Sequence, residues 1–540
     1  MSEGSDRYEK SITLPNNLIL KHLETKVILL QKSNIKKYRD NIFCQKRHIP
    51  YLFYYNFRFM AHSIKKNFFY NILLNISSVI FPLITAPYVS RILEPDGVGL
   101  NNFAFTYAGY FALVAVLGIP TYGVREVSKV RNDKVALSKL ISEMMSIAAI
   151  ITTVVSLVYL LTIAIVGQLT ENYIIFLLAG FVIYLAPFKI NWYYQGIENF
   201  GFITFRSLII RTLSILLLFV LVREKSDLVL YVILNVAGGI LTDIWNYVKM
   251  WKSGIRPHFT LTGLKPHLSP LLLLFSSTIA ISIYTVLDTL MIGFLTDYNE
   301  VGFYSNAMHM SKVLLTVVTS LSIVVVPRVS LYMKENNIEK INELMNKSFS
   351  VVSFLAFPVA IGLACVSPVF VPLFFGVKFA GSVMPLMILS MLIIFIGLNN
   401  LTGVQILIGL GFDKLFLYSV LTGTITNFLM NCFFIPFWGA IGASYASVIA
   451  ETLILFVTTY FVFKHTQVRI SHWQDILKAL VGALVLIPVM LLMKHFLDGW
   501  LLIFAFLIVG FLSYLSMEYI LRNSSINLFT SVIVSKFRKS

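Results

Sequence analysis

Arg211, His309, Lys312 and Glu451 stand well inside long apolar stretches, with Asp288 and Lys189 nearer the ends of theirs. An ionised group at the centre of a bilayer costs about 2.5–3.5 kcal/mol on insertion scales, so such groups are functional candidates by default. His309 and Lys312 are three residues apart and share one helix face. The chemistry open to these residues is binding. Arginine grips an anion through a bidentate fork and lysine acts as a point charge, and either can match an anionic group as it crosses a low dielectric. Other roles stay open beside this one. Arg211 can pair with Glu451 or Asp288 as a tie between helices. His309 can be a hydrogen-bonded packing residue or a proton-coupling group. Lys189 can snorkel to the membrane face. Asp288 and Glu451 are candidates for ion coupling or charge pairing.

Signatures of bond-making chemistry are missing. The sequence carries no GxxxxGK[ST] phosphate loop, no HExxH and no GxSxG. Hydrolysis of ATP by this chain is not expected, nor is any cofactor, and the chain does not read as an enzyme. Cys44, Cys365 and Cys432 have neither metal-ligand nor CxxC spacing, and the last two lie in apolar segments as small hydrophobes.

The elements that must hold these charges are membrane helices. From Asn67 to Arg522 apolar segments of roughly twenty residues follow one another, each long enough as a helix to cross a hydrocarbon core of about 30 Å. Composition agrees: 57% of residues are apolar and 13% charged, and the mean hydropathy is +0.80. About fourteen spans are expected, the first over 67–88 and the last over 499–521. A backbone facing lipid must satisfy its own hydrogen bonds, so the fold class is all-α. The net charge of +17 could suggest nucleic acid, but its placement argues for topology instead. Arg125, Lys129, Arg131, Lys134 and Lys139 fill the second connection, and Lys249, Lys252, Arg256 and Lys265 the sixth. The third and eleventh connections have no lysine or arginine, and the seventh carries only Asp297 and Glu300. Such alternation places both termini in the cytoplasm.

Residues 1–62 form a basic extension, expected to be disordered or to precede a natural start at Met60; residues 1–66 hold 13 Lys and Arg against 5 Asp and Glu. Beyond it two halves echo each other. Asp96-Gly97-Val98-Gly99 opens span 2 and Asn299-Glu300-Val301-Gly302 opens span 8; Gln195-Gly196 after span 4 has a fainter counterpart in Ile408-Gly409 after span 10. The offsets are a little above two hundred residues. An even number of spans in each half makes the repeats parallel, and repeats of this kind enclose a substrate path between them. The expected organisation is an N-lobe over 63–250, a cytoplasmic link over 251–267, a C-lobe over 268–465, and two further helices with a basic tail over 466–540.

The run Pro82-Leu83-Ile84-Thr85-Ala86-Pro87-Tyr88-Val89-Ser90-Arg91-Ile92-Leu93 with Gly97-Val98-Gly99 resembles the first helix of Wzx-type oligosaccharide flippases, members of the multidrug/oligosaccharidyl-lipid/polysaccharide exporter superfamily. Leu117-Gly118-Ile119-Pro120, Trp192-Tyr193-Tyr194-Gln195-Gly196 and Val301-Gly302-Phe303-Tyr304-Ser305 also resemble that family. The resemblance covers about residues 63–521. It implies twelve to fourteen helices in two lobes around a central cavity. It implies as substrate an oligosaccharide repeat unit on undecaprenyl pyrophosphate, carried from the cytoplasmic to the outer leaflet of a bacterial cytoplasmic membrane. Expected partners are this lipid-linked sugar, membrane lipids, and the polysaccharide polymerase with its chain-length machinery; nucleic acid is not among them. In this setting Lys312, Arg211, His309 and Lys189 are candidate cavity groups for the pyrophosphate and anionic sugars. Arg91 is an outer-rim residue or a gate cation. Trp192 either anchors at the interface or stacks on a sugar. A multidrug or cation antiporter of the same superfamily is the alternative, and a membrane-bound polymerase or ligase a third, disfavoured by the short odd-numbered connections.

Overall fold

The computed structural model describes residues 64–526, apart from 321 and 472. The basic extension, Cys44 and the last residues of the tail lie outside the described residues. Within them the secondary structure is helical, with no strand. Nine stretches are long and apolar enough to cross a membrane. Two of these, over Lys66–Val130 and Asp413–His465, fold back at a kink. This is a multi-pass membrane protein.

Helix α1, Ile64–Val116, breaks at Glu94, whose φ of 61° and ψ of 177° are non-helical. Pro95 supplies the reason: it disfavours the α conformation in the residue before it and has no N–H to continue the ladder. Spans 1 and 2 are thus the two arms of α1. The short amphipathic α2, Ile119–Val130, follows, with a proline in its first turn, where the missing N–H costs nothing. Helix α3, Lys134–Ile165, starts at Asp133, whose carboxylate accepts from the N–H groups of Val135 and Ala136 at 2.9 and 3.1 Å. The expected fourth span is instead a chain of short pieces, from Tyr173–Ala179 and Phe181–Tyr184 to α4, Asn191–Gly196, with Pro187 in the 3-10 turn between them.

Helices α5, Phe200–Leu221, α6, Leu228–Lys252, and α7, Lys265–Leu295, complete the first seven spans. Helix α8, Tyr298–Thr319, ends earlier than hydropathy suggests, because Pro327 belongs to a separate helix, Ser322–Lys334. Helix α9 is Ile338–Phe374, and α10, Leu392–Asn399, runs on as a π-helix over Asn400–Ile408. Helix α11, Asp413–His465, turns at Gly439, at φ 52° and ψ −126°. Its second arm begins with the Ala440 N–H donating to Glu300 Oε2 at 2.6 Å. Last come α12, Trp473–Leu484, α13, Leu486–Phe496, and α14, Gly499–Ile520. They pack on α9, where Tyr514 donates to the Phe354 carbonyl at 2.9 Å and Ser350 to Asp475 at 2.8 Å.

The buried residues of one core run from Leu117 to Leu271 and those of another from Val318 to Ile526. A third joins the two halves through α1, α7, α8 and α11. Its contact is reciprocal. A Cβ on Gly99 would lie 1.7 Å from the Tyr298 carbonyl oxygen, and one on Gly302 would lie 2.2 Å from that of Pro95. Both pairs obey one offset: 302 − 99 and 298 − 95 each equal 203. Interchange of equivalent positions marks two parallel repeats around an approximate two-fold axis. Only glycine allows the two backbones to come this close.

Candidate functional site

On that axis lies a cavity of about 470 Å³, lined by the second arm of α1, α7 and α8. Its walls come from equivalent positions of the two repeats: Asn102 with Ser305, Phe105 with Met308, Thr106 with His309, and Gly109 with Lys312. The scaffold is near-symmetric and its charge is one-sided. Where the second repeat presents a lysine and a histidine, the first presents glycine and threonine. The space in front of Gly109 is empty, for a Cβ there would meet nothing within 4 Å. His309 Nε2 is buried without a hydrogen-bond partner. Among the described residues the Lys312 ammonium makes no ion pair. The three-residue spacing expected to bring these two onto one face does so.

Lys312 also borders a smaller cavity of about 80 Å³, together with Asp288, Asn427, Ser447 and Glu451. Asp288, on α7, is a junction: one oxygen accepts from Tyr304 of α8 and from Ser447 at 2.7 Å, the other from Asn431 of α11 at 2.6 Å. Glu451 is 6% exposed and accepts from Asn399 at 2.5 Å, at the point where α10 becomes a π-helix. Both acids are held by neutral donors. Neither pairs with Arg211, so the interhelix tie considered for that residue does not form.

Arg211 lies elsewhere, in a cavity of about 570 Å³ within the first repeat, between the first arm of α1, α5 and α6. Its guanidinium donates to Ser77 at 2.8 Å. Lys189 lines the same cavity and donates to the Val182 carbonyl at 2.7 Å. A third cavity of about 400 Å³ borders both: it shares Gly109 and Leu113 with the axis cavity and Lys189 and Asn191 with the Arg211 cavity. Trp192 and Gln195 also line it. Trp192 is 4% exposed, and its ring lies over Gly123, where a Cβ would be 2.4 Å from the indole. It packs in the protein core beside this cavity.

Arg91 is exposed and lines none of these cavities; its guanidinium donates to the Leu373 carbonyl. This contact belongs to a seal between the halves. Nearby, Glu94 forms ion pairs with Lys378 and, at 3.2 Å, Lys225. Asn306 donates to Ser90 at 3.0 Å, and Gln168 to the Gly293 carbonyl at 2.5 Å. Hydrogen bonds from Lys378 and Lys225 hold the Glu94 carboxyl below its ordinary range.

Two residues of the Arg211 cavity escape sequence reasoning. Arg206 is 1% exposed, donates to Asn246 and, at 3.0 Å, Asn191, and leaves its Nε without a partner. Asp243 faces it from α6. Counted along the chain, both stand near span ends and pass for interfacial charges. Spacing gave no signal either: five residues turn a helix by about 140°, so Arg206 and Arg211 do not share a face by periodicity.

Residues 64–333 match the family described as polysaccharide biosynthesis protein. A protein of Escherichia coli K12 named "Putative O-antigen transporter" is 22% identical over 408 residues, 74% of this chain and 97% of that protein. The solved structure of the lipid II flippase MurJ in an inward closed conformation aligns with a TM-score of 0.67 at 17% identity, covering 85% of this chain and all of that one. An inward-facing multidrug resistance MATE family transporter of the MOP superfamily aligns with a TM-score of 0.54 at 13% identity, covering 73% of this chain and 98% of that one. The fold is shared with these two structures.

Proposed function

From the premise that this chain belongs to the polysaccharide biosynthesis protein family, we propose that it is a flippase for undecaprenyl-pyrophosphate-linked oligosaccharide repeat units. It carries them from the cytoplasmic to the outer leaflet of a bacterial cytoplasmic membrane for surface polysaccharide synthesis. The observation that carries this reading is the axis cavity with its unpaired Lys312 and orphaned His309 Nε2. A cation with no direct ion pair in a membrane-embedded cavity is costly, and a ligand such as a pyrophosphate brings it a partner. The positive-inside pattern supports cytoplasmic termini and makes the Glu94 face the outer one. With that face sealed, the cavity admits substrate from the cytoplasmic side. Rocking of the repeats that parts the Gly99–Tyr298 and Gly302–Pro95 contacts then exposes it to the other leaflet. The prenyl chain stays in lipid while the pyrophosphate and sugars pass through the cavity. The product is handed to a polymerase with its chain-length machinery.

Asp288 and Glu451 are the groups we assign to energy coupling. They share a cavity wall with Lys312, so a proton or cation taken up there alters the field at the anion site. The same two buried acids favour a second reading, a multidrug or cation antiporter. Deleting the gene in the native organism and locating lipid-linked repeat units by leaflet separates the two. Accumulation on the cytoplasmic side with loss of surface polysaccharide is expected. Normal polysaccharide with new sensitivity to cationic compounds would transfer the assignment to the antiporter.

A further inference from the structure

We propose that the cavity inside the first repeat is a second anion site, which takes a phosphate-bearing group independently of the axis cavity. Three cations, Lys189, Arg206 and Arg211, line it against one carboxylate, Asp243, leaving a net charge of +2 with all four ionised. None forms an ion pair among the described residues. Their partners are neutral: a backbone carbonyl, asparagine amides and serine hydroxyls. Neutral acceptors satisfy directional N–H bonds and leave the charge itself unmatched, so a site with this surplus in a low dielectric favours an anion. Arg206, almost wholly buried, lines the cavity and keeps a buried Nε without a partner. A volume of about 570 Å³ is ample for a phosphate-bearing headgroup.

The other repeat sharpens the assignment. Thr85 of this cavity and Asp288 of the small acidic cavity are 203 positions apart, the offset of the repeat contacts. Ser214 and Asn427, on α5 and α11, are 213 apart, the offset of the fainter Gln195–Ile408 echo. At these matched positions the second repeat holds Asp288 where the first holds Thr85, so the acid of the small cavity has no counterpart in the cationic one. Gly239 faces open space at the cationic one, a Cβ there meeting nothing within 4 Å, so the wall leaves room for an occupant. The cavity of about 400 Å³ shares Lys189 with this one and Gly109 with the axis cavity that Lys312 lines. Access from the axis cavity rests on the flippase reading; the charge argument does not.

The test uses full-length protein in phosphatidylcholine nanodiscs titrated with farnesyl pyrophosphate by calorimetry, in a Lys312→Gln background that weakens the axis site. A saturable residual site is expected. Arg211→Gln, which removes charge, and Gly239→Phe, which fills the cavity and leaves every charge in place, should each weaken it at least tenfold. Competition by inorganic pyrophosphate identifies the phosphate alone as the recognised group; competition only by phosphatidylglycerol identifies a lipid headgroup as its source, and either supports the site. Absence of residual binding in folded Lys312→Gln protein overturns the proposal. So does unchanged affinity in both added variants with normal thermal stability. Export in cells is scored separately, so a failed flippase assignment leaves this result standing.

Discussion

At the scale of single residues, what distinguishes the axis cavity is unmatched charge. Lys312 has no ion pair among the described residues, and His309 brings a buried nitrogen with nothing to bond. Charge-assisted contacts contribute about 1.5–3 kcal/mol, so Lys312→Ala is expected to lower export roughly ten- to hundredfold, with the protein still inserted in the membrane. Lys312→Arg should keep part of the activity, because the positive charge survives. Arg211→Ala is expected to lower export as well, by weakening the anion site of the first-repeat cavity beside the substrate path. Normal surface polysaccharide in both alanine variants would remove the anion-binding account. Gly109 provides a complementary probe. With empty space before it, Gly109→Leu should fold and insert normally while narrowing the cavity opposite Lys312. Export should fall with no change in thermal unfolding; a variant exporting at the wild-type rate would show that substrate does not pass there.

At the scale of elements, two single-residue kinks shape the site. Glu94 before Pro95 folds α1 into two spans, and Gly439 does the same for α11. At φ 52°, and with a Cβ that would sit 2.3 Å from Glu300 Oε2, Gly439 has no tolerable replacement. Gly439→Ala should cost about 1–3 kcal/mol, measured as thermal unfolding in detergent, because both backbone strain and the Glu300 cap are affected. An unshifted unfolding temperature would mean that this turn relaxes freely. Glu94 also closes the face between the halves, and its lowered pKa sets the pH sense. A depressed carboxyl contributes above its ordinary range and loses that contribution as pH falls through the lowered value. Acid below the ordinary carboxylate range, or Glu94→Gln at neutral pH, should therefore loosen the seal. Faster labelling of a cysteine placed at Asn306 would report it, and an unchanged labelling rate at both pH values would contradict it.

At the scale of the whole molecule, two repeats meet through reciprocal glycine contacts at one offset, and the Lys312 cavity lies between them. Alternating access in such an arrangement is a rigid-body change between halves. A disulfide across the seal should then arrest it. Glu94→Cys with Lys378→Cys, in a background lacking the exposed Cys432, is expected to stop export under oxidising conditions and to recover on reduction. Export that continues with the cross-link formed would exclude opening of this face.

Hydropathy alone determined an all-helical, multi-pass protein, because roughly twenty-residue apolar runs have few other solutions in lipid. Motif echoes determined the repeat offset, since close backbone contact forces glycine at both Gly99 and Gly302. The His309–Lys312 face was also legible, its three-residue spacing being local geometry. Tertiary structure alone decided which charges share a space. Depth along a span says nothing about the lateral direction of a side chain, so Arg211 fell away from Lys312, and Arg206 and Asp243 passed for interfacial charges. The break-up of the fourth span and the π-helix after Asn399 likewise answer to packing and to the Asn399–Glu451 bond. Contacts between residues fifty or two hundred positions apart leave no periodicity in the chain for a reader to find.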